Sequence, residues 1–74
     1  MRDSLLKLIE VSIRVIRLLD EASIKLYPYD DGAFVSIVAR KIINPEEIIT
    51  EAKGLQVCFY AMDNLIEVRI YESI

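Results

Sequence analysis

The chain has 74 residues, of which 54% are hydrophobic, and its formal net charge is −3. This composition predicts one packed domain over residues 1–74 rather than a disordered chain. The single cysteine, Cys58, and the absence of histidine exclude an internal disulfide and a tetrahedral zinc site, and the acidic balance disfavours nucleic-acid binding. A domain this small is marginally stable alone, so we expect it to gain stability by oligomerisation.

The N-terminal segment predicts a helix over residues 3–25 that is apolar around an unusually large part of its circumference. At about 100° per residue, its apolar positions cover an arc of roughly 240°, against about 100° for an ordinary surface helix. The arc divides into two seams with centres about 160° apart. The first seam consists of Leu8, Val11, Val15, Leu18 and Ala22, and the second seam consists of Leu6, Ile9, Ile13 and Ile16. Because one covering layer hides only one seam, we expect the second seam to form an oligomer or partner interface. The alternative is that the rest of the chain covers it.

The middle of the chain predicts a turn, a strand and a second helix. Residues 27–32 combine a proline with Asp-Asp-Gly, which ends the first helix. Residues 33–43 then alternate as a strand, with Phe34, Ser36, Val38, Arg40 and Ile42 on one face and Val35, Ile37, Ala39 and Ile43 on the other. Asn44 is a favourable N-cap and Pro45 a favourable first residue for a helix over residues 45–53, which Gly54 ends.

The last segment predicts a β-hairpin with strands at residues 55–62 and 65–72. If Asp63 and Asn64 form a two-residue turn, opposed residues have numbers that sum to 127, as Met62 and Leu65 do. The inward pairs are then all apolar: Ala61–Ile66, Phe59–Val68 and Val57–Ile70. A shift by one residue would mix the two faces, so the pattern fixes the register.

These elements predict an α+β two-layer sandwich of order α-β-α-β-β. It has a three-stranded sheet, a long N-terminal helix and a C-terminal hairpin. Two sheet orders remain open, because the strand at residues 33–43 can pair in parallel with the first hairpin strand or antiparallel with the second. In both orders we expect the helices on the apolar face of the sheet.

The opposite face of the predicted sheet carries aromatic and arginine side chains, namely Phe34, Arg40, Tyr60, Arg69 and Tyr71. In chemistry alone, this face resembles platforms on which single-stranded bases stack. Aliphatic side chains lie among these residues, so a protein contact is a second interpretation. Ordinary cross-strand pairing is a third. We therefore treat these five residues as a possible ligand face.

No residue pattern indicates catalysis, a cofactor or a metal ion. Asp30, Asp31 and Asp63 are placed as turn residues and lack the spacing of a calcium loop. Cys58 has no histidine or second thiol to support a reactive role, and the chain has no glycine-rich phosphate loop. We therefore expect no enzymatic activity, no cofactor and no metal.

Charged residues interrupt the apolar N-terminal segment, which therefore fits neither a signal peptide nor a membrane span, and we expect a cytoplasmic protein. Many charges with few asparagines and glutamines indicate a thermophilic source. The sequence predicts a small non-enzymatic protein-interaction module, a homodimer or an accessory subunit of a larger complex, that associates through its N-terminal helix. The alternative is a nucleic-acid-binding protein that uses the aromatic and arginine face.

Overall fold

The computed structural model describes residues 3–30, 32–42 and 44–72, with the backbone alone for residues 41 and 42. The described residues form two helices, α1 (Asp3–Ile16) and α2 (Pro45–Glu51), and six strands. The strands are β1 (Leu19–Asp20), β2 (Ser23–Tyr29), β3 (Gly32–Ala39), β4 (Lys41–Ile42), β5 (Val57–Met62) and β6 (Leu65–Tyr71). The predicted α+β class is confirmed. The predictions made for Asp31 and Ile43 lie outside the described residues.

The main sheet has four antiparallel strands in the order β2-β3-β6-β5, and β1 pairs separately with β4. The prediction of three strands is therefore wrong. Of the two sheet orders left open by the sequence, the structure has the antiparallel one, since β3 pairs with β6 from Phe34↔Tyr71 to Ala39↔Ile66. The strand predicted over residues 33–43 is divided at Arg40 into β3 and β4.

The helix predicted for residues 3–25 ends at Ile16, nine residues early. The N–H of Leu18 donates to the carbonyl of Val15 at 2.9 Å and closes a turn. Glu21 has a φ of 50°, in the left-handed region, which a right-handed helix does not accommodate. The chain therefore leaves the helical path before residue 23.

Residues 23–29 form strand β2, which was predicted as the end of the helix and a loop. All seven residues pair with β3, from Ser23↔Val38 to Tyr29↔Gly32. Pro28 fits because β2 is an edge strand, where a missing backbone N–H is tolerated. The pairing with β3 outweighs the local helical pattern of Ala22 and Ile24, since it satisfies a whole ladder of backbone groups.

The C-terminal hairpin has the predicted register. β5 pairs with β6 from Val57↔Ile70 to Met62↔Leu65, so opposed residue numbers sum to 127 throughout. The turn begins at Asp63, whose φ is 49°. The alternation of apolar residues over local sequence was therefore sufficient to specify this pair of strands.

The start of α2 also has the predicted cap. The side-chain oxygen of Asn44 accepts a hydrogen bond from the N–H of Glu46 at 3.0 Å, and Pro45 is the first helical residue. The helix is shorter than the predicted 45–53, because Ala52 is its C-cap and Lys53 and Gly54 both have positive φ.

The core lies between one face of the sheet and both helices. Its buried members are Leu8, Val11 and Val15 of α1, Ile48 and Ala52 of α2, Ala33, Val35, Ile37 and Ala39 of β3, Val68 and Ile70 of β6, together with Leu19 and Leu55. Ser12 is buried with its hydroxyl donating to the carbonyl of Leu8 at 2.7 Å. Ser4 donates to the carboxylate of the buried Glu72, which connects the first turn of α1 to the end of β6.

Candidate functional site

An exposed apolar surface joins α1 to the edge strand β2. It consists of Leu6, Ile9 and Ile13 of α1 with Ile24 and Leu26 of β2, and we call it the α1–β2 surface. Leu6, Ile13, Ile24 and Leu26 are 42%, 47%, 45% and 49% exposed, and Ile9 is half-buried. Apolar side chains that are grouped in this way, rather than scattered singly, mark interaction sites.

This surface exists because α1 does not lie over the whole sheet. α1 packs over β3 and β6, and β2, at the edge, is exposed along its full length. Ile24 is paired with Ile37, and Leu26 with Val35. Ile37 and Val35 lie in the core, whereas their neighbours on β2 extend the same apolar face beyond the helix. The apolar layer therefore continues past the part of the sheet that the helices cover.

A groove runs between α1 and β2. Its volume is about 290 Å³, and it is lined by Ile9, Ser12, Ile13, Ile24, Leu26 and Val35. None of these lining residues is charged, and the hydroxyl of Ser12 is already bonded to its own helix. The groove therefore offers an apolar, concave site without a polar group that selects for a charged ligand.

The structure places three of the four residues predicted as an interface on this surface. Leu6, Ile9 and Ile13 belong to it, whereas Ile16 packs against the core. Ile24 and Leu26 were not predicted, because the sequence was interpreted as helical through residue 25. The alternation of polar and apolar residues over 23–26 is the signal in the sequence that favours a strand here.

The opposite face of the sheet carries a cluster of aromatic rings centred on Phe34. The Tyr27 ring stacks on it at 5.0 Å between centroids and an angle of 17°, and the Tyr71 ring lies at 5.3 Å. Tyr29 lies at 6.3 Å. Tyr27 and Tyr29 are additions to the predicted ligand face, because the sequence predicts a turn at both positions. We call these four residues, with Tyr60 and Arg69, the aromatic face.

Arg69 connects the rings of this face. Its guanidinium carbon lies 5.5 Å from the centroid of Phe34 and 4.6 Å from that of Tyr60, within the range of cation–π attraction. Arg69 Nε also lies 3.0 Å from a carboxylate oxygen of Glu67, which accepts from Ser36 at 2.5 Å as well. Arg69 is therefore fixed in place by its own sheet.

The charges of this face are partly neutralised by these contacts. Hydrogen bonds from Arg69 and then Ser36 lower the pKa of Glu67, and the bond to Glu67 raises the pKa of Arg69. A hydrogen bond with Tyr71 raises the pKa of Tyr60. The arginine and the carboxylate are thus both ionised at neutral pH, and the positive charge of Arg69 is offset locally.

Arg40, the remaining residue of the predicted ligand face, lies apart from this cluster. It occupies the bend after β3, where its Nε is 2.5 Å from Glu21 Oε2, and both side chains are mostly exposed. The backbone N–H of Arg40 donates to the backbone carbonyl of Asp20 at 3.4 Å. Arg40 therefore contacts the segment that connects β1 to β2, and it is not part of the aromatic face.

The described part of the chain has no group of three or more His, Cys, Asp or Glu residues placed to hold a metal ion. It also has no helix long and apolar enough to cross a lipid bilayer. Cys58 is a free, half-buried thiol. Comparisons with protein-family models, with curated proteins and with solved structures found no match to this chain.

Proposed function

We propose that this chain is a small non-enzymatic protein-interaction module. It acts as a homodimer or as an accessory subunit of a larger complex, and it associates through the α1–β2 surface. The observation that carries the proposal is that Ile13 on α1 lines one groove with Ile24 and Leu26 on β2, while all three are about half exposed. Leu6, one turn before Ile9 on the same face of α1, extends this patch along the helix. Such a continuous patch favours a protein contact over exposure to water.

The energy of covering this surface is appreciable for a chain of 74 residues. Complete burial of an aliphatic side chain is worth about 1.5–3 kcal/mol. Four side chains that are about half exposed therefore stabilise an assembly by about 1 kcal/mol each, or about 4 kcal/mol per chain. That amount is comparable to the whole stability a single core of this size supplies.

Solution mass, measured by light scattering coupled to gel filtration, tests the proposal. We expect the wild-type chain to have a mass above that of one chain and Ile13→Glu to have the mass of one chain, because a carboxylate placed in an apolar contact loses its hydration. Ile49→Glu is the matched control: Ile49 is 53% exposed on α2, outside the α1–β2 surface. An assembly that Ile13→Glu leaves unchanged contradicts the proposal.

Nucleic-acid binding is the second candidate function, and the aromatic face is the observation that favours it. Phe34, Tyr60, Arg69 and Tyr71 lie together on an open sheet surface, as in single-strand binders that stack bases on aromatic rings. The net charge of −3 and the Arg69–Glu67 ion pair weigh against it.

Fluorescence anisotropy with labelled single-stranded and duplex oligonucleotides at low ionic strength tests this second function. Binding should weaken steeply with added salt and should be lost in Arg69→Ala. Arg14→Ala is the control, because Arg14 is an exposed arginine on the last turn of α1. Absence of binding at low salt, or equal losses in both variants, excludes the aromatic face as a nucleic-acid site.

A further inference from the structure

α1 has two apolar faces, and its own sheet uses one of them. Leu8, Val11 and Val15 are buried against the sheet. Leu6, Ile9 and Ile13 have their centre about 160° further round the helix. A helix with apolar faces on nearly opposite sides is suited to lie between two apolar surfaces. One of these surfaces is its own sheet, and the α1–β2 surface of another molecule has the chemistry of the second.

The groove between α1 and β2 lies where a second helix can pack on the sheet beside α1. β2 lies beside the strands that α1 covers and is exposed along its full length. A second helix packs naturally beside the first on a sheet, because adjacent helices lie about 8–10 Å apart, or two strand spacings. The wall of the groove is formed by Ile9 and Ile13 and its floor by Ile24 and Leu26. An apolar helix without charge on its inserted face fits there.

We propose that a second copy of this chain supplies that helix, so that each α1 lies in the groove between α1 and β2 of the other copy. The inference rests on the proposed function and specifies its partner and geometry. The two copies of α1 lie side by side and antiparallel about a two-fold axis, in one layer between two sheets. Such an interface is isologous, because the same α1–β2 surface contributes to both sides of it: α1 of each copy inserts into the groove of the other.

A second copy fits better than an unrelated helix because it covers the whole α1–β2 surface. An unrelated helix in the groove contacts the residues that line it, Ile9, Ile13, Ile24 and Leu26 among them, but not Leu6, which lies outside the lining. Reciprocal insertion places Leu6 and Ile13 over β2 of the other copy. The charged residues of α1, which are Asp3, Lys7, Glu10 and Arg14, lie on the remaining part of the helix and stay at the solvent edge.

The area of this contact agrees with that of a stable dimer. α1 has 14 residues, so at about 1.5 Å per residue it is about 21 Å long, and a contact strip about 10 Å wide along it covers roughly 200 Å². The dimer has one strip between the two copies of α1 and one between each α1 and the β2 of the other copy. Counting both surfaces of the three strips, it buries about 1,200 Å², the lower end of the range for specific interfaces.

Pairing of the two β2 edges is the competing arrangement, since β2 is an edge strand of the sheet that the described residues form. It would leave Ile24 and Leu26 of both copies beneath an open groove between the two helices, because α1 lies over β3 and β6. The two arrangements differ in which residues meet. Insertion brings Ile13 of one copy to β2 of the other, whereas edge pairing brings β2 to β2.

Cysteine cross-linking between two differently tagged copies of the full chain tests the geometry. Cys58→Ser removes the natural thiol, and single cysteines are then placed by Ile13→Cys, Ile24→Cys, Leu26→Cys or, as a control on α2, Ile49→Cys. Pairs of variants are mixed, treated with a short bismaleimide and separated by mass. Because each chain has one thiol, every cross-link joins two copies. Light scattering gives the mass of each variant, and circular dichroism checks that it is folded.

We expect the Ile13→Cys chain to cross-link to the Ile24→Cys or Leu26→Cys chain about tenfold or more above its yield with Ile49→Cys, because thiols held in contact have a millimolar effective concentration. A dimer in which Leu26→Cys links mainly to itself overturns the insertion in favour of edge pairing. A dimer without either link overturns it while the proposed self-association stands. A chain that has the mass of one copy at all concentrations overturns both the insertion and the proposed self-association.

Discussion

Glu21 lies between β1 and the edge strand β2, after α1 has ended at Ile16, and two substitutions there have an effect whose sign tests its left-handed backbone conformation. Its φ of 50° lies in the left-handed region, which costs a residue with a Cβ about 1–2 kcal/mol. Glu21→Gly removes that cost and Glu21→Ala retains it. Both variants lose the ion pair with Arg40, so the comparison between them isolates the backbone conformation.

The expected difference follows from two opposing contributions. Glycine gains about 1–2 kcal/mol in the folded state and loses about 0.4–1 kcal/mol through its greater freedom in the unfolded chain. Glu21→Gly should therefore have a free energy of unfolding about 0.8 kcal/mol above that of Glu21→Ala, within a range of about 0–1.6 kcal/mol. In a continuous helix over residues 3–25 the sign is reversed, since glycine is about 1 kcal/mol worse than alanine in a helix interior.

Urea unfolding followed by far-ultraviolet circular dichroism measures this difference. Both variants are compared at one protein concentration, because association adds to apparent stability. For a domain of this size, 1 kcal/mol corresponds to a shift of about 4–8 °C in Tm, which provides an independent reading. A glycine variant that is less stable than the alanine variant would refute the left-handed conformation at Glu21.

Three further predictions concern the rest of the fold. Ile37→Ala should lower the free energy of unfolding by about 2–5 kcal/mol, since Ile37 is fully buried, and a loss of about 0.5 kcal/mol or less, typical of surface positions, would contradict that burial. Asn44→Ala should cost about 1 kcal/mol in the same assay by removing the cap of α2, and an unchanged urea midpoint would contradict the cap. Hydrogen bonds from Arg69 and Ser36 hold the pKa of Glu67 in the folded protein below its ordinary value of 4.5. The ionised carboxylate therefore stabilises the fold fully at pH values above 4.5, and this stabilisation is lost as the pH falls through the pKa that Glu67 has in the folded state. Urea unfolding at several pH values should therefore show wild type more stable than Glu67→Gln near neutrality, with a difference that shrinks in acid, and a difference independent of pH would contradict the ionised pair.

The parts of the fold that the sequence predicted are those whose information is local. The hairpin of β5 and β6 has the register expected from its alternation and from the turn at Asp63, because neighbouring strands joined by two residues have few alternative pairings. The cap at Asn44 followed from the residues next to it. The apolar excess of α1 was also visible in the sequence, since side-chain periodicity within one helix depends on no other element.

The segment from Arg17 to Tyr29 was predicted incorrectly because its apolar residues satisfy two periods. Leu18 and Ala22 continue the first seam of α1, while residues 23–26 alternate between polar and apolar as in a strand. Local preference distinguishes these alternatives weakly. The pairing of β2 with β3 decided between them, and with it the number of strands and the presence of Tyr27 beside Phe34 on the aromatic face.

The sequence by itself determined that α1 carries more apolar surface than one sheet can cover, since about 100° per residue fixes the angle between Leu8 and Ile13 whatever surrounds them. Only the tertiary structure decided what lies beside the uncovered face. The turn at Glu21 directs the chain back along β3 and places Ile24 and Leu26 next to α1, where they complete the groove. That juxtaposition depends on contacts between residues distant along the chain, and the periodicity of apolar residues within one helix or strand carries no information about such contacts.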